Sequence, residues 1–345
     1  MKRLLVLAGA GMLLAGAGAA RAWDYEAHRA INLLALATLP TNYPAFVRAP
    51  EAVERIGFLA GEMDRWRNTP DLPLKHYSFP DHYMDVEELA DYGLDPRLLP
   101  VFRYDFIARL ALIRQAQPAK FPAPAPGTDA DHTRQLVGLL PWAIAESVGK
   151  LKSGFSYLKA YEADGTAEEI ANARANIVYV MGVMGHLVGD AAQPLHVTRH
   201  HHGWVGENPN HYTTSRRIHS WIDGGYFSQT GGVNAAALES RLRPARPVRM
   251  DDRPARPEET FQVAMLYVLA QNQQVESLYQ LEKEGQFSGE GEDGRAGRAF
   301  LEKQLLVAAQ MLGDFWYSAW QEAPPDTFLK GYLAKRKRAA APEGP

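Results

Sequence analysis

The chain contains no cysteine among its 345 residues. Disulfides are excluded, and so is any metal site built on thiolates. A bound transition metal must be held by imidazole and carboxylate. Charge of one sign is also lacking. With 37 Lys and Arg against 40 Asp and Glu, the formal net charge is −3, too small for a global field that gathers polyanions. Strand-like alternation is scarce. Beyond residue 22 no run reads as long and apolar enough to span a bilayer.

What is present begins with an export signal. Lys2 and Arg3 precede an Ala-, Gly- and Leu-rich stretch from Leu4 to Ala20, and Ala20-Arg21-Ala22 fits a small-x-small cleavage site. Residues 1–22 are therefore expected to be removed, and the protein to be periplasmic or secreted. Removal takes away Lys2, Arg3 and Arg21 and no acid, which moves the net charge from −3 to −6. Cleavage would make Trp23 the first residue. A free α-amine with a pKa of about 8 can be deprotonated by a metal, so the amine and carbonyl of Trp23 can chelate one ion. His28, five residues on, can reach the same ion. Alternatively, Trp23 is an apolar anchor and His28 an ordinary histidine.

Helical periodicity dominates the mature chain, with apolar faces over 27–39, 45–66, 102–115, 136–161, 168–190, 258–281 and 296–320. Pro- and Gly-rich breaks fall between them. The pattern predicts one all-α domain over residues 23–329 with long functional loops. Residues 330–345, with the basic run Lys335-Arg-Lys-Arg338 followed by Ala, Pro and Gly, are expected to be a disordered, solvated tail.

The most informative stretch is His186-Leu-Val-Gly-Asp190-Ala-Ala-Gln-Pro-Leu-His196. His186 and Asp190 are four apart and project from one helical face. Pro194 ends the helix and places His196 on the turn. The spacing recurs in His219-Ser-Trp-Ile-Asp223. One such pair reads as a helix hydrogen bond or ion pair. Two, with a histidine just past a helix-ending proline, point to a cluster of metals. Asp64 is a further ligand candidate, and Arg67, three residues on, can fork onto a phosphate; an Asp–Arg ion pair at a helix end is the alternative. His76 and His82 compete within an aromatic loop. The run His200-His201-His202 reads as a mobile loop, and His132 and His211 carry no signal.

In this order, Trp23, His28, Asp64, His82-Tyr83, His186-x-x-x-Asp190, Gln193-Pro-Leu-His196 and His219-x-x-x-Asp223, the chain resembles the superfamily of zinc-dependent phospholipases C and single-strand nucleases over residues 23–225. The resemblance implies an all-α fold with three zinc ions in a cleft. Asp64, His82, His186 and Asp190 would bind one ion. Trp23, His28 and Asp190 would bind a second, with Asp190 bridging. His196, His219 and Asp223 would bind the third. The short interval from Trp23 to His28 and the closing Asp223 are similar to the nuclease branch. There, Tyr83 and Asp85 would meet the nucleobase and Arg67 the phosphate. The chain departs from that branch in three ways: His201–Asn210 replaces a Gly-Gly-Asn loop, the interval from His82 to His186 is longer, and cysteine is absent.

The expected activity is therefore hydrolysis of phosphodiester bonds in single-stranded DNA or RNA by an exported trinuclear zinc enzyme. Asp64, Asp190 and Arg67 would act in catalysis, and Tyr83, Asp85 and Arg67 in substrate binding. A phospholipase C or other small phosphodiesterase using the same metals is the alternative. A zinc-binding protein without catalysis belongs to a different class. No stable protein partner is implied.

Overall fold

The computed structural model describes residues 23–250, 256, 258–288 and 294–340. The expected leader, residues 1–22, lies outside them. Among the described residues the protein is all-α, and extended pairing is limited to isolated bridges at Met84–Gly138 and His201–Gly203.

Two long helices form the centre. Helix α1 (Tyr25–Thr38) starts where the Asp24 carboxylate caps the amide of Ala27. The 45–66 region is not one helix. After a 3-10 turn, Pro50 opens α2 (Pro50–Leu59), and a break at Ala60-Gly61 separates it from α3 (Glu62–Arg67). Helix α4 (Arg103–Ala116) follows a run of short helical turns, the longest Leu72–Ser78, and α5 (Leu140–Asp164) leads into α6 (Ala167–Ala192). Thr166 and Glu169 form a capping box at the start of α6. The 258–281 region divides into α7 (Glu259–Asn272) and α8 (Val275–Lys283), and α9 (Arg295–Glu322) completes the core.

Helix α6 is the hub. It packs on α1, α2, α5 and α9. By length and composition it could cross a membrane, contrary to the expectation that nothing after residue 22 could. Its apolar side chains, including Ile177, Met181, Met184, Leu187 and Val188, are instead buried in the core. The face toward α1 and α2 carries Gly182, Gly185 and Gly189. A β-carbon at Gly185 would overlap the Asn32 carboxamide, and one at Gly189 would lie 2.7 Å from His28 Nδ1. The glycines thus let α1 lie close against α6. Buried Asn32 locks that approach by donating to the carbonyls of Ile56 at 2.8 Å and Gly182 at 3.0 Å.

The tail expected to be disordered from Lys330 is a helix, α10 (Thr327–Ala340). Leu333 is fully buried, Arg336 forks onto Glu169 at 2.7 and 2.9 Å, and Lys337 pairs with Asp164. The basic composition that reads as solvated is in part consumed by these acids. Residues 341–345 lie outside the described residues.

In an open helix, Gly→Ala stabilises by up to about 1 kcal/mol. At Gly185 the overlap with Asn32 outweighs that gain. Gly185→Ala is expected to destabilise the protein by about 1–3 kcal/mol, read from urea denaturation midpoints, whereas a stabilised variant would disprove the close approach.

Candidate metal centre

Three groups of ligand atoms lie within 4.8 Å of one another: His28, His186 and Asp190; Asp64, His82 and His186; and His196, His219 and Asp223. Asp64 is partly exposed and the other residues are buried. These clusters could hold metal ions. The last turn of α6 presents His186 and Asp190, and His196 follows on the 3-10 turn Pro194–His196. His219 closes a short helical turn that widens into a π-turn over Trp221–Gly225, and this turn carries Asp223. π-Turns recur where a side chain must be re-aimed.

The protonation of three histidines follows from their neighbours. A backbone carbonyl can only accept, so a ring nitrogen beside one must carry the hydrogen. His186 Nδ1 donates to Ala60 O at 2.7 Å, His196 Nδ1 to His82 O at 2.9 Å, and His219 Nδ1 to His201 O at 3.0 Å. Each ring thereby turns its Nε2 into the cluster, the arrangement of histidines that ligate metals. His196 Nε2 and His219 Nε2 are 3.2 Å apart. Lone pairs that close repel unless a proton or a cation lies between them. A tetrahedral ion with metal–nitrogen bonds of about 2.0–2.1 Å needs its ligand atoms about 3.3 Å apart, so the spacing fits.

Asp190 is fully buried, with Oδ2 2.9 Å from His82 Nδ1 and 3.3 Å from His186 Nε2. Its Oδ1 is 3.3 Å from His28 Nε2. Neither Asp190 Oδ1 nor His28 Nε2 makes an aligned hydrogen bond, and His82 Nε2 and Asp223 Oδ2 are orphaned in the same way. Buried polar atoms that converge without hydrogen bonds are costly in a protein interior; a cation among them removes that cost. Gln193 orders the third group. Its Nε2 donates to Asp223 Oδ1 at 2.5 Å and its Oε1 accepts from Leu195 N, leaving Asp223 Oδ2 for His219 at 2.8 Å.

Residue 23 enters from the other side. The Trp23 indole is buried and donates to Gly189 O at 3.1 Å, and the next amide, Asp24 N, donates to Asp223 O at 2.9 Å. The start of α1 is thereby tied both to the turn holding Asp190 and to Asp223. His28 stacks on His186 with ring centres 3.9 Å apart.

The cluster borders a cleft of about 550 Å³ lined by His82, His196 and His219 and by Arg67, Tyr83 and Asp85. Arg67 is paired with Asp64 at 2.6 Å, so the ion-pair reading and a place at the cleft hold together. The Tyr83 hydroxyl donates to Leu136 O, and its ring meets Phe79 edge-on. His82 is inside, whereas His76 is exposed and bonded to Asp131 O. The sequence did not single out Lys75, Glu88 or Arg134, which also line the cleft. Residues 200–202 do form a loop, and it is packed into the site. His200 is buried and stacks on Trp204 at 4.0 Å, while His201 and His202 line the cleft, His201 Nδ1 lying 3.6 Å from Asp85. Trp204, near this run in sequence, was the available signal.

Electrostatics divide the histidines. Burial, reinforced by the charge of His186, lowers His28 to about 4. Burial and Arg67 likewise lower His82 to about 4. Burial also opposes charge on His196, but Asp190 and Asp223 outweigh it and raise His196 to about 9. From pH 6.5 down to about 4, the unfolded chain therefore binds protons that folded His28 and His82 refuse, and stability falls. The contribution of His196 is complete below pH 6.5 and is lost as pH rises through about 9. Chelator-stripped protein is expected to have its highest melting temperature near pH 6.5; a melting temperature rising steadily to pH 9 would contradict this charge distribution. Gln193→Ala should weaken metal binding by the His196, His219 and Asp223 group by about 10- to 100-fold while binding by the groups around His186 keeps its affinity in metal titration. Uniform affinity across all sites would remove Gln193 from this role.

Compared with known protein families and with curated proteins, the chain matches none.

Proposed function

We propose that the chain is an exported phosphodiesterase that works with three zinc ions, and most specifically a nuclease of single-stranded nucleic acid. The observation that carries this reading is the set of Nε2 atoms on His186, His196 and His219 turned inward by backbone carbonyls, with His196 and His219 at the wall of a cleft also lined by Arg67, Tyr83 and Asp85. The three ions would be held by Asp64, His82, His186 and Asp190; by Trp23, His28 and Asp190; and by His196, His219 and Asp223. When bound, zinc supplies Lewis acidity toward a phosphoryl oxygen and lowers the pKa of water toward neutrality.

The chain's own residues supply the rest. Asp190, whose Oδ1 is buried and lacks a hydrogen-bond donor, keeps a negative charge toward the ions it would help to hold. Asp64 fixes Arg67, which sets a guanidinium against phosphoryl charge as it builds up. The Tyr83 ring, held by Leu136 and Phe79, offers a face for an unpaired base; duplex bases are hidden from such a face. Asp85 can accept from a base amino group. The cleft wall carries Arg67, Lys75, Arg134, Asp85 and Glu88. That polarity supports nucleic acid over the apolar rim that a phospholipase C would use. A zinc-binding protein without catalysis needs no such cleft.

The deciding experiment incubates mature, metal-replete protein with single-stranded DNA, RNA, 3′-nucleotides and phosphatidylcholine. Cleavage of the strands is expected, and faster hydrolysis of phosphatidylcholine than of any oligonucleotide would overturn the nuclease reading. Stacking is worth about 1–3 kcal/mol per base, so Tyr83→Ala should cost about 5- to 150-fold, mostly in KM. A residue added before Trp23 turns the α-amine into an amide, a poor ligand. Such a protein should lose zinc and activity together, and full zinc with full activity would contradict the role given to Trp23.

A further inference from the structure

Helix α10 is held by one side only. Leu333 is buried, and Arg336 and Lys337 are tied to Glu169 and Asp164. The other side presents Phe328, 86% exposed, and Tyr332, 57% exposed, one helical turn apart. Lys335 and Arg338 are exposed beside them, whereas Lys330 is exposed on the opposite flank of the helix. The helix carries five cations and no acid, whereas the rest of the mature chain sums to −11. Charge is thus segregated onto one short element, and its outward face combines aromatic rings with cations.

We propose that α10 docks the protein on an anionic lipid surface, with Phe328 and Tyr332 inserted among the headgroups and Lys335 and Arg338 against lipid phosphates. An amphipathic helix with aromatics on one face and cations beside them lies in the membrane interface in this way. Other occupants fit less well. A second copy packed face to face would bring like cations together. A nucleic-acid strand needs a basic groove to follow. The cavity beside α10, lined by Tyr157, Tyr161 and Glu169, instead offers a carboxylate. The proposal does not depend on the nuclease reading, because none of these residues belongs to the cleft.

The test is co-sedimentation of the mature protein with vesicles. Binding is expected to mixed phosphatidylglycerol–phosphatidylcholine vesicles at low salt, little to phosphatidylcholine alone, and release in about 1 M salt, where screening is nearly complete. Each exposed cation should contribute about fivefold to partitioning. Lys335→Glu and Arg338→Glu together should therefore cost about 25-fold or more. Phe328→Ser with Tyr332→Ser should cost about tenfold or more. All four side chains are exposed, so circular dichroism and melting temperature should stay unchanged. Absence of binding to phosphatidylglycerol vesicles, or variants that bind like the parent, would overturn the proposal. So would a dimer that these substitutions dissolve, or an oligonucleotide that only the parent retains when its zinc has been stripped.

Discussion

The buried carboxylate of Asp190 is the constraint around which the molecule is arranged. It is fully buried, with His28, His82 and His186 within 3.3 Å and His196 3.7 Å away. Burial opposes its charge, yet the surrounding imidazoles hold its pKa well below the ordinary value. A buried anion without compensation is costly. His28 and His82, lowered to about 4, carry no positive charge at neutral pH. Compensation therefore falls to positive charge on the remaining histidines or to bound cations, which the inward Nε2 atoms of His186, His196 and His219 could take.

Bringing four segments to one carboxylate requires helices at unusually short range. Gly182, Gly185 and Gly189 provide it along α6, and the start of α1 delivers His28 and Trp23 there. The same glycines weaken α6 as an isolated helix. Its capping box and its burial among α1, α2, α5 and α9 offset that weakness. Stability and ligand geometry are thus coupled through one helix face, and a change at that face acts on both. The cleft is assembled differently. Loop residues such as Tyr83, Asp85 and His201 form much of its wall, fixed by main-chain bonds including Asp85 N to Val137 O and Met84 N to His196 O.

Most of the clustered His and Asp residues could be singled out in the sequence because they lie on local spacings. His186 and Asp190 share a helical face, Pro194 sets His196, and His219 repeats the interval to Asp223. The all-α class was legible from apolar periodicity. Other features depend on contacts across the chain and left no local trace. The break at Ala60-Gly61 frees the carbonyl of Ala60 that orients His186. The π-turn at Trp221–Gly225 and the role of Gln193 appear only once Asp223 is in place. His201 and His202 read as a polar loop, yet anchoring by Trp204 and Tyr279 turns that segment into cleft wall. Helix α10 read as a disordered tail because Leu333, Glu169 and Asp164 are distant in sequence.

The proposed trinuclear zinc centre around Asp190 and Asp223 is tested most directly by elemental analysis of protein that begins at Trp23, purified without chelator and assayed in parallel on single-stranded DNA. Three zinc ions per chain are expected in active protein. One ion or none in fully active protein would contradict the claim.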